Sequence, residues 1–300
     1  MELSNEINEV VKPSVPSISS SAMLVELSIS SWSGRKLDKT ASKEITAQKN
    51  AAVGIANVNK KLLGDCAELD AVLKFAANVR NSHYAMTLPW SDTGLRLLPT
   101  AGFFDYEQHI SGLRNEYYKL VEVFLKAYDW EIIQAQTKLG DMFNRDEYPT
   151  SDSLRAKFRF GVNYIPLADA GDFRLDIANE AQATLTEHYK QYYATQLENA
   201  MADVWGRVHD ALSKMSERLD YSSGDTKKVF RDSLVENVID LLGLLDKCNV
   251  TGNADMTLMR MKLEDTLRGV TPDALREDTY LRLKTKQNVD EIIKTLPSFS

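Results

Sequence analysis

The sequence predicts a mainly α (α+β) fold: a long antiparallel helical hairpin, a small antiparallel β-sheet and a C-terminal helical bundle. Three observations lead there. Two apolar stripes of roughly 40 residues each recur at intervals of three and four. Short stretches before and between them alternate with period two instead. Shorter helical patterns follow Gly224.

In chain order, residues 1–22 are polar, with Pro13, Pro16 and a serine cluster from Ser17 to Ser21. Such a stretch buries too little apolar surface to offset its ordering entropy, so a disordered tail is expected. Residues 23–102 read as an N-terminal strand plus helices. Met23, Val25, Leu27 and Ile29 alternate up to Trp32, and Ser33-Gly34-Arg35-Lys36 forms a charged turn. Residues 40–60 are rich in Ala and Lys and predict a weakly amphipathic helix. Residues 62–86 predict a firmer one, with Leu62, Leu69, Val72, Leu73, Ala76 and Val79 on its apolar face. Pro89, Gly94 and Pro99 interrupt the pattern, and Leu95–Leu98 fits a short edge strand.

Residues 103–220 carry the hairpin. The first stripe runs from Tyr106 through Ile110, Tyr117, Phe124, Tyr128 and Ile132 to Met142, which at 1.5 Å per residue makes a helix roughly 60 Å long. The second runs from Leu185 through Tyr193, Met201, Val208 and Leu212 to Leu219. Equal length and equal spacing invite antiparallel, coiled-coil-like pairing. Between them Phe158, Phe160, Val162 and Tyr164 alternate, as do Phe173, Leu175 and Ile177, around the turn Ala170-Gly171-Asp172. A β-hairpin insert at 158–177 is expected, with the strand near residue 25 as its third partner. Residues 221–300 supply C-terminal helices at about 226–248, 253–268 and 276–295, with Thr271-Pro272-Asp273 as a helix start.

An apolar fraction of 43% supports a substantial core, and a net charge of -7 argues against a whole-surface nucleic-acid or membrane binder. Cys66 and Cys248 read as two reduced thiols. Lacking a membrane-length apolar run or a signal-peptide layout, the chain is expected in the cytoplasm. No phosphate-binding glycine loop, nucleophile elbow or His-Glu-x-x-His occurs, and His83, His109, His188 and His209 are isolated. No catalytic residue, metal ligand or cofactor is therefore assigned, and a non-enzyme is expected.

Two sets of residues carry the functional expectation. From Trp32 to Lys61 the chain holds seven cations against Asp38 and Glu44. Arg35, Lys36, Lys39, Lys43, Lys60 and Lys61 are candidate contacts to nucleic acid or an acidic partner. A solvated helix face explains the same charges. On the long helices, Tyr118, Trp130 and Tyr192 fall beside the stripes and are candidates for a protein interface. A broader helical core would also use them. Phe158 and Phe160 beside Arg159 fit either base stacking or the core side of a sheet.

The stretch Met23-Leu24-Val25-Glu26-Leu27-Ser28-Ile29-Ser30-Ser31-Trp32-Ser33-Gly34-Arg35-Lys36 resembles the opening of a family of uncharacterised proteins from bacteriophages and integrative conjugative elements. Thr87-Leu88-Pro89-Trp90, Leu113-Arg114-Asn115-Glu116, Phe230-Arg231-Asp232-Ser233-Leu234 and Asp273-Ala274-Leu275-Arg276 resemble its recurring segments. Some members are encoded beside recombination genes, or beside a MoxR-type AAA+ ATPase and a von Willebrand A-type protein. The resemblance implies an accessory role in phage DNA metabolism, remodelling or host takeover, inside an infected bacterium, and it carries over no functional residue. The expectation from sequence is a helical adaptor or scaffold that self-associates and binds a protein such as an AAA+ ATPase or a host defence enzyme. The alternatives are a DNA-binding accessory protein of phage recombination or replication and an inhibitor of an anti-phage defence enzyme.

Overall fold

A computed structural model describes residues 18–167, 179–220 and 233–297. The short helix α1 (Ile18–Ser21) leads into strand β1 (Ala22–Ser30). Strand β2 (Arg35–Asp38), helix α2 (Lys39–Gln48) and strand β3 (Val58–Lys61) follow, then helix α3 (Ala67–Met86) and strands β4 (Leu88–Pro89) and β5 (Arg96–Pro99). Next come the long helix α4 (Phe103–Leu139), the short α5 (Ser151–Arg155), strand β6 (Arg159–Pro166) and the second long helix α6 (Asn179–Leu219). Helices α7 (Ser233–Cys248), α8 (Ala254–Leu267), α9 (Pro272–Glu277) and α10 (Thr279–Thr295) complete the described chain.

The protein is mainly helical with a small sheet, as its periodicities predict. The sheet has the strand order β4-β5-β1-β6. Ala22–Val25 pair antiparallel with Arg96–Pro99, and β4 pairs antiparallel with β5. The 96–99 strand is thus internal and not an edge, because the two-residue β4 covers its free side. Strand β6 lies beside β1, the partner expected for it. The other half of the expected insert, at Phe173–Ile177, lies outside the described residues, as do residues 1–17 of the expected tail.

The chain divides into two compact units. One comprises residues up to Val25, Met86–Phe103 and Tyr164 onward; the other comprises Glu26–Ala85 and Phe104–Asn163. The two long helices of the expected hairpin are present; α4 falls almost wholly in the second unit and α6 in the first. A stripe at helical spacing specifies an apolar face and leaves its partner open.

In the first unit, α6 packs on α7, α10 and β4. Val204, Val208, Leu212, Met215 and Leu219 are buried with Val238 and Leu245 of α7, Leu263 of α8 and Val289 of α10. Trp90 joins this core, 5.6 Å from Tyr193. Ser216 of α6 hydrogen-bonds Asp290, which also holds Lys286 at 2.7 Å. Asn253 and Thr271 cap α8 and α9, the latter with Pro272 at the first helical position as its sequence predicts.

In the second unit, α4 buries Tyr106, Ile110, Tyr117, Phe124, Tyr128 and Ile132. Around them, Trp32 stacks on Phe124 at 6.2 Å and meets Tyr128 edge-on at 5.9 Å, while Phe158 meets Phe124 at 5.8 Å. Each buried phenol finds a partner. Tyr106 meets His83 Nδ1 at 2.8 Å, Tyr117 donates to the Ser30 carbonyl, Tyr128 to that of Pro149 and Tyr148 to that of Leu62. Burial pushes the Tyr128 and Tyr148 hydroxyls up to about 12, so both are donors at neutral pH. Phe158 and Phe160 are buried in this unit, which removes the base-stacking reading.

Candidate functional site

Residues 35–61 do not form the single helix expected from residue 40 onward. Helix α2 ends at Gln48, Asn50 and Gly54 have positive φ, and β3 pairs with β2. The register sets Arg35 opposite Lys61 and Lys36 opposite Lys60. Asp38 caps α2 by accepting from the Thr40 and Ala41 amides at 3.1 and 3.0 Å.

Three of the cations grouped by sequence are paired with acids. Lys60 is only 8% exposed, lies 2.8 Å from Glu147 and 3.3 Å from Asp38, and donates to the Met142 carbonyl. Hence Lys60 is an internal clamp, which corrects its assignment as a contact residue. Burial disfavours its charge, but hydrogen bonds to Glu147 and Asp38 outweigh that and hold its pKa above the usual lysine value. The Ala41 amide, aided by Lys60, holds the Asp38 carboxyl below the usual range despite its desolvation. Lys36 approaches Glu147 at 3.8 Å and Lys61 pairs with Asp65 at 3.1 Å, both remaining exposed.

Arg35, Lys39 and Lys43 are exposed and make no ion pair with any described residue. Lys39 and Lys43 stand one helical turn apart and line a shallow hollow of about 140 Å³ with Leu37, Ser42, Thr46 and Val53. Val53 is 83% exposed, with Ile55 beside it in sequence and also exposed. Cation and uncovered apolar surface therefore meet on one short stretch of chain.

The three aromatics divide. The Tyr118 hydroxyl accepts from the Phe160 amide at 3.1 Å, and its ring meets Tyr117 at 5.5 Å. Tyr192 stands edge-on to Trp90 at 6.5 Å. Both do internal packing while keeping an exposed edge. Trp130 is 61% exposed, with Val123 and Ile133 also exposed on α4.

A further group went unrecognised in the sequence. Cys66 precedes α3, Glu68 lies in its first turn and Glu131 projects from α4; one ligand atom from each lies within 4.8 Å of the others. The Cys66 and Cys248 thiols are both free and buried. Burial pushes the Cys66 thiol up to about 11; the Leu69 amide acts against this, and Glu131 and Glu68 add to it. The Cys-x-Glu spacing at a helix start was the available signal. Glu131, more than 60 residues away, is brought in only by the fold.

Among the described residues no helix is long and apolar enough to cross a membrane. Comparison with known proteins returns no matching family model, no matching curated protein and no matching solved structure.

Proposed function

We propose that the protein is a non-enzymatic helical adaptor that captures an acidic segment, carrying an apolar anchor, from a protein partner. The observation that supports this is the hollow between α2 and Val53, where Lys39 and Lys43 have no acidic partner among the described residues and apolar surface is uncovered. Unpaired cations favour an acidic partner, and the exposed Leu37 and Val53 give it apolar surface to bury. The resemblance to a phage-borne family makes an AAA+ ATPase or a host defence protein the first natural partner to assay.

The test uses the full chain, a fluorescent peptide of alternating Glu and Leu, and a duplex oligonucleotide. Wild type is expected to bind the peptide at low salt, with affinity falling as salt rises. Lys39→Glu with Lys43→Glu abolishes that binding while circular dichroism stays unchanged. Equal binding by both proteins, or none by wild type, removes the reading. Tighter binding of the oligonucleotide replaces it with the DNA-accessory role.

Self-association is a second reading, carried by Trp130 with Val123 and Ile133. A symmetric dimer needs only one such self-complementary row. Light scattering is expected to give twice the chain mass for wild type and the single mass for Trp130→Glu. A monomeric wild type discards it.

A further inference from the structure

We infer that Cys66, Glu68 and Glu131 form a binding site for one thiophilic divalent cation of the zinc class. The inference is independent of the adaptor reading, because it uses none of the residues around the α2 hollow.

The local chain builds the cluster. Gly64 has a φ of +63°, a conformation that side chains rarely adopt, and a Cβ there would lie 3.2 Å from Lys138 Cδ. This turn therefore lets α4 pass close to the residues that open α3. Glu131 lies seven residues before Lys138, two turns back on the same helix face, and so comes beside Cys66. Cys66 and Glu68 sit two residues apart at the start of α3 and reach the same point, with Sγ 3.7 Å from Oε2.

The chemistry of the three groups then asks for a cation. The thiol offers its only proton to Glu68. Glu131 Oε2 is buried and has no hydrogen-bond donor, although a carboxylate at neutral pH only accepts. No lysine, arginine or histidine forms an ion pair with Glu131 among the described residues. An acceptor hidden from water and aimed at a sulfur and a second carboxylate is stable only if something positive lies between them.

Ligand type and spacing select the ion. Zinc binds thiolate sulfur at about 2.3 Å and carboxylate oxygen at about 2.0–2.2 Å, giving tetrahedral edges of roughly 3.3–3.6 Å. The 3.7 Å sulfur–oxygen separation already matches, and the 4.8 Å limit on the others closes with small rotations of flexible glutamates. Magnesium and calcium prefer all-oxygen shells and are disfavoured by the sulfur. On binding, the Cys66 S–H bond breaks, its proton leaves to solvent and the Sγ–metal bond forms, with no change of oxidation state. Three protein ligands leave the fourth position to solvent. A cavity of about 60 Å³ adjoins Cys66, with Ser33, Gly34, Arg35 and Lys61 also in its lining, and neither glutamate borders it.

The experiment titrates chelator-treated full-length protein with Co²⁺ and Zn²⁺. One equivalent of Co²⁺ is expected to produce a near-ultraviolet thiolate-to-cobalt charge-transfer band, which Zn²⁺ displaces and Mg²⁺ does not. Cys66→Ser abolishes the band, Glu131→Gln weakens affinity by more than about 10-fold, and Cys248→Ala leaves both unchanged. Circular dichroism confirms folding, and Glu131→Gln keeps the test decisive if loss of the thiol unfolds the chain. No stoichiometric uptake, a band that follows Cys248, or affinity unaltered by Glu131→Gln overturns the assignment.

Discussion

Lys60 shows how one side chain redefines a charge patch. Its ammonium sits between Asp38 and Glu147, with Lys36 at the rim, so two cations balance two acids. Lys60→Ala strands both acids in a partly buried pocket. The expected loss is about 3 kcal/mol in urea unfolding, the low end of the range for a broken buried pair because Lys36 opens one edge to solvent. The pH dependence follows from the shifts. Asp38 has a folded pKa below its unfolded value, so its contribution is present above roughly pH 4 and lost as pH falls through the folded value. Lys60 has a raised folded pKa, so its contribution is present below roughly pH 10 and lost as pH rises above it. Urea midpoints are therefore expected to fall at both extremes, and Asp38→Asn flattens the acid limb.

At the scale of elements, the long helices separate what a sequence contains from what it omits. The spacing of Tyr106, Ile110, Tyr117, Phe124, Tyr128 and Ile132 marks the buried face of α4 directly. That of Val204, Val208, Leu212, Met215 and Leu219 does the same for α6. Neither stripe encodes its partner, because any apolar face of matching width suffices. Truncation of a fully buried stripe residue should cost accordingly: Leu212→Ala is expected to lose about 3 kcal/mol, read by urea unfolding. The four-residue β3 illustrates the opposite limit. Val58–Lys61 is too short for an alternation to register, and only its pairing with Arg35–Asp38 makes it a strand. The basic count over the same stretch was legible, yet its neutralisation depends on Glu147, nearly 90 residues away. The Cys66 cluster was hidden for the same reason, since it needs Glu131 from another helix.

Across the whole molecule, neither compact unit is a continuous stretch of chain. Strands β1 and β6 change unit at Val25/Glu26 and Asn163/Tyr164, and residues 86–103 leave the second unit to serve the first. A fragment spanning 164–300 keeps α6 to α10 but lacks Leu88, Trp90 and Leu97 of their core. It is expected to retain helical far-ultraviolet dichroism while its amide proton spectrum collapses, and adding a peptide of residues 86–103 should restore part of the dispersion. A fully dispersed spectrum from the fragment alone would contradict this. The same threading orders events during synthesis. Everything the second unit needs has been translated by Asn163, whereas Leu88, Trp90 and Leu97 must wait for helices not yet made. At 5–20 residues per second, the ribosome needs roughly 7–27 s to deliver the remainder. For that interval the nascent chain carries one finished unit and an uncovered apolar strand pair, a segment that a nascent-chain chaperone would shield.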